Sequence, residues 1–267
     1  MLTLSTGKGN EPVRVPWNHD LPKYCEISFN GEQYVLSAVY KISMEAETLG
    51  NAHAGVDLGQ KHIAAVNTGN KTIIANGKEL YSKRIYLVYI KAHFYAEMKK
   101  CVKYSRKWNR LNNRRKRTVK KLKNQIRDIL HKQTTAIVCA MKEEGVQTVG
   151  IGHMQNMRTD ADKRTPIGKA RTVLTYKLRR AGMETLFVDE KFTSQTCPKC
   201  GWRNKTRDRN YTCDKCGFAY HRDGVGAYNI RSISKYREFV PVIGDMTPPV
   251  GIRYYADSSR TSAATTA

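Results

Sequence analysis

Two Cys-x-x-Cys pairs constrain the fold of this chain more than any other feature of its sequence. The pairs are Cys197-Pro198-Lys199-Cys200 and Cys213-Asp214-Lys215-Cys216, and each is followed by a glycine, Gly201 or Gly217. Two short turns of this kind can direct four thiolates to one Zn²⁺ at about 2.3 Å. The spacing therefore predicts a zinc ribbon over residues 192–219, in which Cys197, Cys200, Cys213 and Cys216 hold a structural zinc.

The charge balance indicates the class of partner. The 267 residues include 47 Lys and Arg against 23 Asp and Glu, a net charge of +24. A field of this sign repels cationic partners and attracts polyanions such as nucleic acid. Seven cysteines, an odd number, fit a reducing compartment better than a disulfide framework. Because no apolar run resembles a signal peptide or a membrane span, we expect a cytoplasmic protein without membrane contact.

One segment concentrates the positive charge. Residues 99–123 contain thirteen Lys or Arg and no acid, with Tyr104 and Trp108 among them. A charge run of this kind is often only a solvated helix face. Here the density and the interleaved aromatic residues favour contact with phosphates. The predicted nucleic-acid-binding residues are Lys103, Arg106, Lys107, Arg110, Arg114, Arg115, Lys116, Arg117, Lys120 and Lys121.

Hydrophobic periodicity predicts an α/β fold. Residues 1–29 show little periodicity and predict irregular chain, and a strand is predicted over 32–43. Three short β-rich runs at 52–58, 61–67 and 71–75 predict a meander. Apolar residues in steps of three and four predict a long basic helical hairpin over about 79–144. The strand, helix, strand pattern that follows, at 146–151, 166–181 and 184–188, predicts parallel strands added to the meander, which makes a mixed sheet.

Two carboxylates occur in distinctive surroundings. Asp57 lies between Gly55 and Gly59 near the end of a predicted strand, where the glycines leave room for a metal and a phosphate. Asp223 lies in the string from His221 to Ile230, directly after the ribbon. Taken singly, an acid at a strand edge is usually structural, and Asp223 could be a helix N-terminal acid.

Taken together, these segments resemble the OrfB zinc-ribbon family of insertion sequences, the TnpB proteins, which are related to type V CRISPR effectors. The resemblance spans about residues 55–230 and is most specific over 192–230, which holds the stretch Thr193–Gly201, the second Cys pair and the His221–Ile230 string. It implies a ribonuclease-H-like (RuvC-like) nuclease core with a zinc ribbon inserted before its last helix. It also implies DNA cleavage with Mg²⁺, directed by a guide RNA from the transposon end, in a prokaryotic cell where the protein is nucleoid-associated.

The resemblance implies three catalytic carboxylates, in the order Asp, Glu, Asp. Asp57 matches the first and Asp223 the third, but Gly152 stands where the Glu is expected and His153 where a second acid often follows. Two Mg²⁺ ions need several oxygen ligands, so the loss of one predicts weak or lost cleavage. In this interpretation a Glu at position 152 would complete the site. The substitutes considered are Asp160, Asp162, Asp189 and Glu190.

Three functions remain open at this point. The first is a transposon-associated, TnpB-like protein that binds DNA and a guide RNA but cuts weakly or not at all. The second is an active Mg²⁺-dependent, RNA-guided DNA endonuclease with a substitute third acid. The third is a zinc-ribbon RNA-binding protein without guide function. Only 56 residues precede Asp57, where the family places a larger lobe, so guide binding is less strongly predicted than DNA binding.

The predicted organisation has five parts. Residues 1–51 form a short N-terminal β or irregular segment, 52–191 the RuvC-like core with the basic insertion at about 79–144, 192–219 the zinc ribbon, 220–239 the last core helix, and 240–267 a disordered tail.

Overall fold

The computed structural model describes residues 1–29, 33–41, 50–153, 166–206, 208–242, 245–252 and 263–264. The chain divides into two compact units, Met1–Glu45 and Ala46–Ala267.

The first unit contains two antiparallel hairpins. Strand β1 (Leu2–Leu4) pairs with β2 (Val13–Val15), and β3 (Tyr24–Phe29) pairs with β4 (Tyr34–Val39). The strand predicted over 32–43 is thus confirmed at β4. The prediction of irregular chain over 1–29 is wrong at β1, β2 and β3, because two of these strands are too short to show a two-residue period.

The second unit is built on a mixed sheet with the strand order β13-β12-β7-β6-β5-β8-β9. The predicted meander is confirmed, since β6 pairs antiparallel with both β5 and β7. The predicted parallel extension is confirmed as well, since β8 lies between β5 and β9 and runs parallel to both. The strands are β5 (Ala52–Asp57), β6 (His62–Asn67), β7 (Thr72–Asn76), β8 (Val146–His153), β9 (Glu184–Asp189), β12 (Val250–Ile252) and β13 (Ala263–Ala264).

Strand β12 lies within the segment predicted to be disordered. It pairs parallel with β7, through Val250–Ile73 and the two following register positions. The prediction of disorder over 240–267 is therefore wrong at β12. The composition of β12 gives no strand signal. The strand forms because the edge of the sheet at β7 offers hydrogen-bond partners to its backbone groups.

Helices α1 (Lys78–Lys99) and α2 (Arg106–Glu143) form the predicted long hairpin and pack against each other. Helix α2 begins at the N-cap Ser105, whose hydroxyl accepts a hydrogen bond from Trp108 N at 3.2 Å. It ends before Gly145, which adopts a positive φ of 64° that favours glycine. In the described ranges, no helix has both the length and the apolar character needed to cross a membrane.

The two faces of the sheet are covered differently. On one face, Ala54 and Val56 of β5 and Val149 and Ile151 of β8 belong to the main apolar core, together with side chains of α2 and of α3 (Pro166–Arg180). Because side chains alternate along a strand, the residues between them point to the other face.

Helix α4 (Arg222–Tyr236) covers that second face, and glycines let it approach closely. A Cβ at Gly55 would overlap the backbone of α4 at Ala227 and Arg231, and a Cβ at Gly150 would lie 2.5 Å from the Ser234 side chain. The glycines in these strands are therefore a requirement of the α4 contact rather than a weakness of the sheet. Asp57 and Gly152 lie two residues beyond these glycines, so both face the start of α4.

Candidate functional site

Asp57 and Asp223 line one cleft at the end of the sheet. Asp57 is the last residue of β5, and Asp223 lies in the first turn of α4. Both contribute to the walls of a cleft of about 850 Å³, along with residues 189–195, which follow β9. The two acids that sequence reasoning selected, 166 residues apart in the chain, are therefore brought together by the packing of α4 on β5.

The Asp57 carboxylate lies in surroundings that disfavour its charge. Gly226 of α4 packs directly against it, and among the described residues the charge of Arg222 favours its ionised form but no hydrogen bond does. Burial, together with the negative charges of Asp223 and Glu190, raises the pKa of Asp57 to about 8. Ionisation of Asp57 in the folded chain therefore costs free energy, and a bound cation would stabilise the ionised form.

Asp223 is held by positively charged and polar neighbours. Arg209 Nη1 and His62 Nδ1 each lie 2.7 Å from Asp223 Oδ2. Burial acts to raise the pKa of Asp223, but the hydrogen bond with His62 and the charge of Arg209 outweigh it and keep the pKa below its usual range. Sequence reasoning missed Arg209 and His62, because neither belongs to a motif and they meet Asp223 only in the fold.

Gly152 occupies the position that the resemblance predicts for the middle acid. The β5–β8 register pairs Val56 with Ile151, so one further step places Gly152 beside Asp57 on the face toward α4. A Cβ at Gly152 would lie 2.7 Å from Glu190 Oε2 and 2.8 Å from Ile230 Cδ1. A carboxylate oxygen is therefore present next to position 152, and it belongs to Glu190, the residue that follows β9.

The other suggested substitutes are placed differently. Asp160 and Asp162 lie outside the described residues. Asp189 is exposed, and its Oδ1 accepts a hydrogen bond from the backbone N of Lys191 at 3.1 Å.

The donor set fits a hard divalent cation. Carboxylate oxygens are the side-chain ligands that Mg²⁺ prefers, and Asp57 and Asp223 face one space. His62, His221 and Asp223 also place three possible ligand atoms within 4.8 Å of one another.

The four predicted zinc ligands cluster as expected. The Sγ atoms of Cys197, Cys200, Cys213 and Cys216 lie within 4.8 Å of one another. The Sγ–Sγ distance is 3.6 Å both between Cys197 and Cys216 and between Cys200 and Cys213. Tetrahedral bonds of about 2.3 Å require S–S separations of about 3.8 Å, which is close to these values. The cluster could therefore hold a metal such as zinc.

The cysteine pairs lie in two turns of similar construction. Gly201 N donates to Cys197 O and Gly217 N donates to Cys213 O, both at 3.0 Å. The two glycines have φ values of 70° and 71°, which a side chain would disfavour. The second turn joins strands β10 (Asn210–Thr212) and β11 (Ala219–His221).

The segment that carries the four cysteines, residues 192–206 and 208–221, is called the cysteine element below. It is hydrogen-bonded to the helix that carries Asp223. Buried Asn229 of α4 donates from Nδ2 to the carbonyl oxygens of Thr193 and Thr196 at 2.6 and 2.8 Å. Strand β11 leads without a break into α4, and Arg222 N donates to Arg209 O at 2.7 Å. The element therefore sets the positions of both Asp223 and Arg209.

The predicted nucleic-acid-binding residues lie at the start of α2, except Lys103, which precedes it. Eight of the ten are exposed, whereas Arg115 and Lys120 are half-buried. Arg115 donates to Tyr95 Oη of α1 at 3.3 Å and its guanidinium lies 5.1 Å from the centre of that ring. Arg115 thus also joins the two helices.

Comparison with known families gives two matches along the chain. Residues 34–158 match the family model OrfB_IS605, "Probable transposase". Residues 168–230 match "Cas12f1-like, TNB domain". The resemblance to the OrfB zinc-ribbon (TnpB) family is confirmed by these matches, which together cover both carboxylates and all four cysteines.

Two relatives point the same way. The chain is 26% identical over 199 residues to the "Putative RNA-guided DNA endonuclease InsQ" of Escherichia coli (strain K12), covering 66% of this chain and 47% of that protein. It is 23% identical over 229 residues to a putative transposase of Acanthamoeba polyphaga mimivirus, covering 79% of this chain and 46% of that protein. The chain thus spans about half the length of these curated relatives.

Solved structures confirm the fold class. A Cas12f1–sgRNA–target DNA complex matches with a TM-score of 0.50 at 18% identity, over 79% of this chain and 56% of that chain. A CRISPR-Cas12f ternary complex matches with a TM-score of 0.53 at 16% identity, over 78% and 44%. The second unit therefore has a RuvC-like, Cas12f-like mixed α/β fold.

The raised pKa of Asp57 yields a stability prediction. Since the folded-state pKa of about 8 lies above the value near 3.9 of an unfolded chain, the stabilisation from this group is complete only below pH ~4 and is lost as pH rises through about 8. Asp57→Asn should therefore raise the free energy of unfolding by roughly 1–3 kcal/mol at pH 8.5. Urea unfolding in buffer with zinc and without magnesium measures it.

A matched control is Asp128→Asn, which removes an exposed acid 3.0 Å from Lys132. It should change stability by less than about 0.5 kcal/mol. The physical account of Asp57 is wrong if Asp57→Asn is no more stable than the unmodified protein at pH 8.5, or if its gain is as large at pH 4.

Proposed function

We propose that this chain, with its OrfB-type transposase and Cas12f1-like TNB matches, is a TnpB-like nuclease that uses divalent metal to cleave nucleic acid. The observation that carries the proposal is the convergence of Asp57 and Asp223 on one cleft beside a cysteine element. Carboxylates from two distant segments, one of them costly to keep charged, are expected where metal binding provides the compensating interaction.

The residues of the chain have separate tasks in this function. Asp57 and Asp223 hold the metal ions, and β5 and α4 fix their spacing. Arg209 and His62 keep Asp223 ionised until a metal replaces part of their interaction. Bound divalent ions supply the activation of water and the stabilisation of charge on the phosphate. Lys61, Lys191 and Arg222, which line the cleft, attract the phosphate backbone.

Of the two alternatives for cleavage, the geometry favours the active one. Weak or lost cleavage was expected from Gly152 alone, and it stays a prediction. The alternative, an active nuclease with a substitute third acid, gains support from the Glu190 carboxylate oxygen beside position 152.

DNA and a guide RNA are the proposed partners. The support is the net charge of +24, the exposed basic start of α2, and the name of the InsQ relative. An origin of the guide in the transposon end follows from the same resemblance and belongs to the proposal. The third function, a zinc-ribbon RNA-binding protein, leaves the shared cleft of Asp57 and Asp223 without a role.

A cleavage assay tests the central proposal. Protein purified with the RNA that it carries should convert matching supercoiled DNA to nicked or linear forms with Mg²⁺ and not without it. Asp57→Asn should lower the rate at least about 100-fold, because both ions depend on this ligand. Glu184→Gln, which removes an exposed acid at the start of β9, should cut at the normal rate.

Sequencing of the copurifying RNA identifies the DNA to be tested. Equal cleavage by unmodified protein and Asp57→Asn would rule out the proposed site. Bound RNA of one defined sequence without Mg²⁺-dependent cleavage of matching DNA would support the non-cutting alternative instead.

A salt titration tests the role of the basic segment. Each phosphate that is neutralised contributes about 0.9 to the slope of log affinity against log salt on duplex DNA. Arg114→Gln with Arg117→Gln should reduce the magnitude of this slope by about 2. The matched control is Arg127→Gln with Lys132→Gln, two exposed charges further along α2, which should leave it unchanged. Equal slopes for all three proteins would identify the basic segment as a solvated face.

Zinc analysis tests the metal of the ribbon. We propose one structural Zn²⁺ per chain at the four cysteines. Cys213→Ser should lose most of the zinc and unfold the ribbon, whereas Cys139→Ser, an exposed thiol on α2, should retain a full equivalent. Zinc content by mass spectrometry measures this. A full zinc equivalent in Cys213→Ser would disprove the ligand assignment.

A further inference from the structure

Glu190 places a carboxylate where the residue at position 152 has no side chain. A Cβ at Gly152 would lie 2.7 Å from Glu190 Oε2, closer than real Cβ contacts come. We propose that Glu190 is the third carboxylate ligand of the divalent-metal site, supplied by the end of β9 in place of a residue at position 152. This inference rests on the proposed function.

Strand register explains why Glu190 can reach the site. Gly152 of β8 pairs with Val188 of β9, and residues paired in parallel strands point to the same face. Glu190 follows Val188 by two residues, so its side chain returns to the face of Gly152 and Asp57. A hydrogen bond from Glu190 N to His153 O, at 3.3 Å, keeps the chain beside β8 at this point.

The same register excludes the adjacent acid. Asp189 pairs with His153 and alternates to the opposite side of the strand from Glu190. It is exposed, and one of its oxygens caps the backbone N of Lys191. Two neighbouring acids that both line the cleft thus differ in the direction of their side chains.

Electrostatics support the closeness of Glu190 to the other two acids. After burial and the charge of Asp223, the negative charge of Glu190 is the next contribution that raises the pKa of Asp57. Glu190 also lines the cleft that holds Asp57 and Asp223. Three carboxylates, from β5, from the residue that follows β9 and from α4, therefore line one cleft, and oxygen ligands of this kind are those that Mg²⁺ prefers.

The arrangement changes the expectation for a glutamate at position 152. From sequence alone, Gly152→Glu would complete the site. In the structure the new Cβ would collide with Glu190 Oε2 and with Ile230 Cδ1, so the substitution would displace the carboxylate that is already there. Gly152 and Glu190 are therefore complementary, because the small residue leaves the space that the acid fills.

Manganese binding tests the assignment without DNA or activity. Free Mn²⁺ is measured by electron paramagnetic resonance with zinc-loaded protein. Glu190→Gln should weaken Mn²⁺ binding at least about tenfold, since even the residues that only orient metal ligands contribute this much. Glu184→Gln, which removes an exposed acid at the other end of β9, should bind as the unmodified protein does, and circular dichroism should show both variants folded.

A double-mutant cycle tests the complementarity. Gly152→Glu should strengthen Mn²⁺ binding in a Glu190→Gly background, where the space is free, and should not strengthen it in the unmodified protein. The same order is expected for cleavage of matching DNA. An equal effect of Gly152→Glu in both backgrounds would overturn the proposal.

The outcomes separate this inference from the proposed function. If the unmodified protein binds Mn²⁺ and Asp57→Asn weakens it, but Glu190→Gln binds normally, the metal site stands and Glu190 is not its ligand. If the unmodified protein binds no Mn²⁺ beyond the Asp57→Asn background, the proposed metal site and the role of Glu190 both fail.

Discussion

The close contact of helix α4 with the central sheet determines the rest of the second unit. Glycines at positions 55 and 150 let the helix backbone approach the strands, and Gly226 lets it approach Asp57. Larger residues would hold the helix away from β5, because a Cβ has no room in this interface. This contact brings Asp223 to Asp57, and so a packing requirement of the backbone contributes to the carboxylate cleft.

The cysteine element has a positioning role in this arrangement. Its two turns fold residues between β9 and α4 into a compact unit, and buried Asn229 fixes that unit to the helix. As a consequence, Arg209 meets Asp223 at 2.7 Å. A metal that holds the four cysteines would therefore act on the carboxylate cleft through the backbone, without being part of the reaction.

Electrostatics divide the molecule into two regions of opposite character. The positive charges of the basic segment are largely exposed and remain solvated, which costs the fold little. The acids of the cleft are close together. Burial and the negative charges of Asp223 and Glu190 raise the pKa of Asp57 to about 8. Stability is thus given up at the cleft, as is common where a site is arranged for a cation rather than for the folded chain alone.

The sequence by itself determined the local features. The four cysteines with their glycines were predicted from their spacing, the helical hairpin and the mixed sheet from the hydrophobic pattern and the order of the elements, and the two aspartates from the family resemblance. Strands β1, β2, β3 and β12 were missed, since short strands depend on partners elsewhere. Only the tertiary structure placed Arg209 against Asp223 and Glu190 beside Gly152, because strand register and helix packing, and no pattern along the chain, decide which distant side chains share one space.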